Sequence, residues 1–185
     1  MLRPMRTVWT VGHSTREWRD FVDLLLPAGI QAVADVRRYP ASRRHPQFDA
    51  AYLAAALLEA GIEYVPMVEL GGRRTARTNS HNTAWRNASF RGYADYMETD
   101  EFQHARDRLE RLAAQRRTAV MCAEAHWTQC HRALISDNLK SRGREVIHLI
   151  APDRSEVHPY TKAARIRDGR LDYGADEVTA QGDLF

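Results

Sequence analysis

The chain predicts an α/β fold, a single three-layer domain whose mostly parallel sheet of about five strands carries helices on both faces. Short apolar runs recur along it, each followed by a polar turn and then by apolar residues at helical spacing. Alternation of that kind folds most simply as crossovers onto a parallel sheet. A length of 185 residues with 44% hydrophobic content suits one core rather than two. The expected boundaries are residues 1–173 for the domain and 174–185 for a flexible tail.

Val8 to Gly12 reads as the first strand. Ser14 and Glu17 have capping-box spacing, and Trp18, Phe21, Val22, Leu24 and Leu25 form a helical face ending near Pro27. Residues 30–34 are a second strand ending at Asp35. Asp49 caps a helix carrying Tyr52, Leu53, Ala56 and Leu57, which stops at Gly61. Residues 62–67 make a third strand. A long polar segment from Glu69 to Ser89 follows, a length that marks functional or mobile loops. Phe90 to Met97 and Asp100 to Gln115 read as helices, Thr118 to Cys122 as a strand, and Thr128 as the cap of a helix that closes at Gly143. Glu145 to Ile150 is the last strand expected. Residues 160–173 fold back on the domain, and 174–181 read as a linker.

No apolar run is long enough to span a bilayer, so no membrane partner is expected. The basic start, Met1 to Arg6, leads straight into strand-like sequence without a cleavage site, so no signal peptide is expected either. A cytoplasmic location with reduced Cys122 and Cys130 follows. The formal charge is only +3, but the arginines are clustered: four between Val36 and Phe48 and five between Leu70 and Ala94, with no acid in either stretch. Arginine suits bidentate contact with phosphate, although base composition of the genome also enriches it.

In open parallel sheets the ligand crevice lies beyond the carboxyl ends of the strands. Three polar clusters fall there: Gly12-His13-Ser14, Asp35-Val36-Arg37-Arg38 continuing to Ser42, and Cys122-Ala123-Glu124 leading to Cys130-His131-Arg132. The last trio opens a helix, where free amides favour anions. Arg37 and Arg132 are candidates to hold phosphate, Asp35 and Glu124 to form a carboxylate pair, and His13 to carry a proton. Structural readings stand beside these: a hinge at His13, an ion pair between Asp35 and Arg37, and buried packing for Cys122. Cys130 has a helix N-terminus and Arg132 to lower its pKa, although packing suits it too. A metal set drawn from Cys122, His126, Cys130 and His131 matches no standard zinc spacing, so no metal ligand is assigned; the cofactor is unknown and a divalent metal is left open. Arg73 with its Gly- and Arg-rich surroundings suits a nucleic-acid backbone, and Trp85, Phe90, Tyr93 and Tyr96 offer stacking faces. The same residues also fit a solvated loop followed by an ordinary amphipathic helix.

Together these pieces resemble the bacterial and archaeal family called domain of unknown function 488. The resemblance rests on Thr10 to Ser14, on Ala34 to Arg37 with Pro40 and Ser42, and on Leu70 to Gly72. It continues through Phe90 to Met97, Met121 to Glu124 and Cys130 to Arg132, spanning roughly residues 8–150. It implies one α/β domain and marks these positions as the family's signature. It implies no established activity.

The last five residues, Gln181-Gly182-Asp183-Leu184-Phe185, resemble the short peptide by which DNA polymerases and mismatch-repair proteins dock on the bacterial sliding clamp. Gln181, Leu184 and Phe185 are the expected partner-binding residues. Burying Leu184 and Phe185 contributes roughly 1.5–3 kcal/mol each, before the cost of ordering the peptide. Folding back onto the domain is the other use for that pair. The sequence therefore suggests a DNA-repair protein recruited to the sliding clamp, an enzyme that hydrolyses a phosphate ester or an N-glycosidic bond in DNA, RNA or nucleotides. Ser14, Arg37, Ser42, Arg73, Tyr93, Cys130, His131 and Arg132 would bind substrate, and His13, Asp35 and Glu124 would act on it. A non-catalytic nucleic-acid-binding module on the clamp and a small-molecule enzyme with an irrelevant tail are the alternatives.

Overall fold

The computed structural model describes residues 7–175. The tail with Gln181, Leu184 and Phe185 lies outside the described residues.

Six strands form one sheet in the order β3-β2-β4-β1-β5-β6. They are β1 (Thr7–Gly12), β2 (Ala32–Asp35), β3 (Glu63–Pro66), β4 (Thr118–Cys122), β5 (Glu145–Ala151) and β6 (Arg154–Val157). The first five pair in parallel and β6 adds an antiparallel edge. The α/β expectation is met. The strand after Ile150 was not foreseen, because Arg154–Val157 is exposed on every residue and has no apolar alternation to betray it.

Residues alternate between the two faces of the sheet, and both faces are covered. Trp9, Val11, Val33, Ala119 and Met121 pack against α1 (Trp18–Leu25) and α2 (Ala50–Glu59) through Phe21, Leu25, Leu53 and Leu57. Val8, Ala34, Val120 and Cys122 pack on the other side against α3 (Ala88–Met97), α4 (Asp100–Gln115) and α5 (Arg132–Ser141) through Tyr93, Phe102, Leu109 and Leu134. Burial on both sides explains why the strands read as apolar runs and not as apolar/polar alternation. Asp49 caps α2 by accepting from the Ala51 amide, and Gly61 ends that segment at φ +74°, as the sequence indicates.

Two helix starts differ from expectation. Ser14 and Glu17 form no capping box: α1 begins at Trp18, and Ser14 adopts φ +50° while its amide donates to the Ala123 carbonyl at 2.8 Å. The loop after β1 is thus tied to the loop after β4 instead of winding into the helix. Thr128 does not cap α5; it lies in the 3-10 turn Trp127–Gln129, and α5 starts at Arg132 after His131.

Residues 160–173 do return to the domain. A small hairpin, β7 (Arg165–Arg167) with β8 (Arg170–Asp172), brings in Tyr173, whose hydroxyl donates to the Asp137 carboxylate at 2.9 Å. Asp137 also accepts from Thr161, at 2.6 Å, and contacts His158 at 3.0 Å. His158 meets His148 at 2.9 Å, and His148 meets Thr10 at 2.6 Å. This buried polar chain anchors the return segment to the centre of the sheet, where each member has a partner.

Candidate functional site

β2 and β4 are neighbours, yet the chain leaves them in opposite directions, toward β3 on one side and β5 on the other. A crevice opens at such a switch point. Here it holds a cavity of about 240 Å³. Its wall comes from the loop after β2 (Arg37, Arg38, Tyr39), the long loop before α3 (Gly72, Arg73), the start of α3 (Ser89, Phe90, Tyr93), the loop after β4 (Cys122 to Glu124) and the approach to α5 (Gln129 to His131).

Backbone contacts fix the loops that build it. His13 N donates to the Cys122 carbonyl and Val36 N to the Met121 carbonyl, each at 3.0 Å. Gly12 lies so close to the loop after β4 that a Cβ there would stand 1.9 Å from the Glu124 carbonyl oxygen. Only glycine permits that approach. Arg132 is 1% exposed, and its Nη2 donates to the Glu124 and Ala125 carbonyls at 2.5 and 3.3 Å while Nη1 donates to Thr10 at 3.4 Å. Arg132, expected to hold phosphate, thus has its guanidinium buried beneath the loop, which it shapes from below, and it is not part of the cavity wall.

Asp35, Arg37 and His13 form a second interlocked group. Asp35 Oδ1 accepts from Arg37 Nε at 2.9 Å and from its backbone amide at 3.0 Å, and Oδ2 accepts from Arg37 Nη2 at 2.6 Å and from the Tyr64 hydroxyl at 2.8 Å. Arg37 Nη1 donates to the Phe48 carbonyl at 2.7 Å and meets His13 Nε2 at 3.3 Å. Since arginine can only donate, Nε2 of His13 accepts, and Nδ1 carries the proton given to the Ser14 carbonyl at 2.9 Å. The ring stacks on Phe48 at 4.2 Å. Burial above all, with the Arg37 charge adding to it, pulls the His13 pKa down to about 4. His13 is therefore a neutral imidazole behind the wall. The expected carboxylate pair is divided by position: Glu124 lines the cavity, whereas the Asp35 carboxylate is bonded to Arg37 and Tyr64 and is not part of the wall.

The thiols and Glu124 lie at the cavity itself. Cys122 Sγ donates to Glu124 Oε2 at 3.0 Å. His131 Nδ1 is 3.6 Å from Cys130 Sγ and 4.0 Å from Cys122 Sγ, and its Nε2 meets the Val36 carbonyl at 3.1 Å. A carbonyl can only accept, so Nε2 bears the hydrogen and Nδ1 turns a lone pair to the sulfurs. Both cysteines are buried and free. Burial opposes ionisation of Cys130, but its hydrogen bond with Cys122, the adjoining His131 ring and the Arg132 charge outweigh that and hold its thiol well below the ordinary value. Cys122 is pushed the other way, first by its hydrogen bond with Cys130 and then by burial.

The remaining predicted residues divide. Arg73 lines the cavity, exposed, at φ +59° and 5.7 Å from the Tyr39 ring. Tyr93 also lines it but is buried, donating to the Leu70 carbonyl at 2.7 Å with its ring 5.1 Å from His131. Ser42 accepts from the His45 amide at 3.1 Å and, like Ser14, is not part of the wall. Trp85 packs on Phe90 and Tyr173, and Tyr96 lies under Arg74, so of the four proposed stacking rings Phe90 and the buried Tyr93 reach the cavity.

A family model described as domain of unknown function DUF488 matches residues 17–139, about two thirds of the chain. The chain belongs to this family. The DUF488 match takes in every cavity residue, while the Thr10–Ser14 piece of the resemblance precedes it. No curated protein and no solved structure matches the chain. Among the described residues no helix is long and apolar enough to cross a membrane. Tyr39 and Gln129 are cavity residues that sequence reading missed. Tyr39 had one available signal, an aromatic directly after Arg37-Arg38 in the loop that follows an apolar run, and the structure leaves it 63% exposed.

Proposed function

We propose that this protein is a cytoplasmic hydrolase of nucleic acid or nucleotides, cleaving a phosphate ester or an N-glycosidic bond in the service of DNA repair. The observation that supports it is the composition of one cavity, where Arg38 and Arg73 stand with Tyr39 and Phe90 around Glu124, Cys122, Cys130 and His131. Guanidinium groups take phosphate and rings take a base, and a carboxylate beside them serves as general base or acid. The volume suits a phosphate with its sugar, leaving the rest of a strand to run across the open rim. In this reading Glu124 acts on substrate, and His13, Asp35, Arg37 and Arg132 position the loops that carry it. The tail supplies the second contact: Gln181, Leu184 and Phe185 bind the sliding clamp and hold the cavity near DNA.

The test is a turnover screen of single-stranded and duplex DNA, RNA, nucleotides and nucleosides with wild type, Glu124→Gln and a chain lacking residues 181–185. The reading expects turnover that Glu124→Gln abolishes with binding retained, and clamp pull-down that the truncation abolishes. Strand binding without turnover in any substrate would make the protein a binding module. Turnover confined to small molecules unrelated to nucleotides would overturn the reading altogether.

A further inference from the structure

Cys122 ends β4, whereas Cys130 and His131 stand at the approach to α5, so the fold brings together three metal-type donors that the sequence separates. Sγ of Cys122, Sγ of Cys130 and Nδ1 of His131 all lie within 4.8 Å of one another. A tetrahedral zinc ion with bonds of about 2.3 Å to sulfur and about 2.05 Å to nitrogen requires sulfur-to-nitrogen separations of about 3.6 Å. The two separations here are 3.6 and 4.0 Å.

We propose that Cys122, Cys130 and His131 bind a thiophilic divalent cation of the zinc class, with its fourth position open to the cavity.

Three features support this beyond proximity. The Nε2 hydrogen of His131 is held by the Val36 carbonyl, which leaves Nδ1 as the ligating atom; metal-binding imidazoles are oriented in this way. Gly72 packs against the same ring, where a Cβ would come within 2.8 Å of Nδ1, so the loop before α3 can close over the imidazole only as glycine. The donor set is two thiols and one imidazole, and three protein ligands with one position left free is the pattern of a catalytic rather than a structural zinc site. Glu124 lines the same cavity, and its carboxylate accepts from Cys122 Sγ at 3.0 Å. An ion held by these three residues would supply Lewis-acid activation of water for hydrolysis at this cavity, and Glu124 would be the carboxylate beside it to take up a proton. His126 is exposed and outside the group, and the spacing of seven residues between the cysteines hides the site from motif reading.

The binding step is tested without any substrate, so its failure and that of the proposed hydrolysis are separable. The reduced full-length chain is stripped with chelator under anaerobic conditions and titrated with Co²⁺ and then Zn²⁺. One Co²⁺ per chain, with thiolate-to-cobalt charge-transfer absorption that Zn²⁺ abolishes, is the expected result. Cys122→Ser, Cys130→Ser and His131→Ala should each weaken binding by at least about 100-fold, whereas His126→Ala should leave it unchanged. Circular dichroism of the stripped variants reports their folding. Should one fail to fold, protection of both wild-type thiols from alkylation by Zn²⁺ gives the same answer. A reduced wild-type chain that takes up neither ion at stoichiometric concentration, or binds Co²⁺ without thiolate absorption, or leaves both thiols equally reactive with Zn²⁺ present, overturns the proposal.

Discussion

Replacing Asp35 with Asn keeps its shape and removes its charge, which separates a structural carboxylate from a catalytic one. In the folded chain Asp35 is 1% exposed and Arg37 is 6% exposed, and the carboxylate accepts bonds from Nε, Nη2 and the backbone amide of Arg37 as well as from Tyr64. An asparagine retains one acceptor oxygen but turns an NH₂ group toward donors, so at least one guanidinium contact becomes donor against donor. The Arg37 cation then keeps only the Phe48 carbonyl and His13 as fixed partners. Breaking a buried pair on one side costs about 3–5 kcal/mol, most of it from stranding the other charge. For a chain of this size that lowers Tm by roughly 6–20 °C. Urea and thermal denaturation followed by circular dichroism measure it. Asp35→Leu with Arg37→Met removes both charges together and should recover most of the loss, to within about 2 kcal/mol of wild type. An Asp35→Asn chain that melts within about 2 °C of wild type would refute the reasoning and return Asp35 to the list of catalytic candidates.

Three further outcomes follow from the same geometry. His13 has its pKa lowered by burial to about 4 and His148 to about 2. Below about 6.5 the unfolded chain takes up protons that the folded chain refuses, so stability falls with pH; the His13 share amounts to about 3 kcal/mol, complete near pH 4, and His148 continues the loss below that. Chemical denaturation across that range measures it, and a flat profile would contradict the burial of both rings. Gly12→Ala drives a methyl group into the Glu124 carbonyl, 1.9 Å away, and should cost about 3 kcal/mol or more in urea melts, with loss of the cavity loop. Asp95 accepts from the Arg77 amide at 2.7 Å, Ser80 at 2.5 Å and Asn82 at 2.8 Å, holding the long loop before α3; Asp95→Ala should raise the rate of proteolytic nicking within residues 73–87, whereas an unchanged cleavage pattern would mean the loop is held elsewhere.

Much of the fold was legible because the buried strands and amphipathic helices carry strong patterns. Val8 to Gly12 and Thr118 to Cys122 are apolar because both faces of the sheet are covered, and Asp49 and Gly61 bracket α2 with residues whose local chemistry is specific. What escaped depended on contacts between distant segments. Ser14 looked like a cap, but its amide is bonded to Ala123, more than a hundred residues away. Arg132 looked like an anion holder at a helix start, and only the packing of Thr10 and the Glu124 loop around it makes it a buried support. The site was half readable. Strand-end position identified the cluster residues, but whether a side chain faces the cavity, as Glu124 does, or braces the wall from behind, as Asp35 and His13 do, is decided by tertiary bonds.

The central claim is that the cavity between the ends of β2 and β4 receives a phosphate-bearing nucleotide unit. Its most direct test is a backbone amide NMR titration of the isotope-labelled chain with a mononucleotide, repeated with Arg38→Ala and Arg73→Ala together. The account predicts shifts concentrated at residues 37–39, 72–73, 89–90 and 122–131, with affinity reduced in the double variant. Shifts confined to another surface, or affinity indifferent to both arginines, would contradict it.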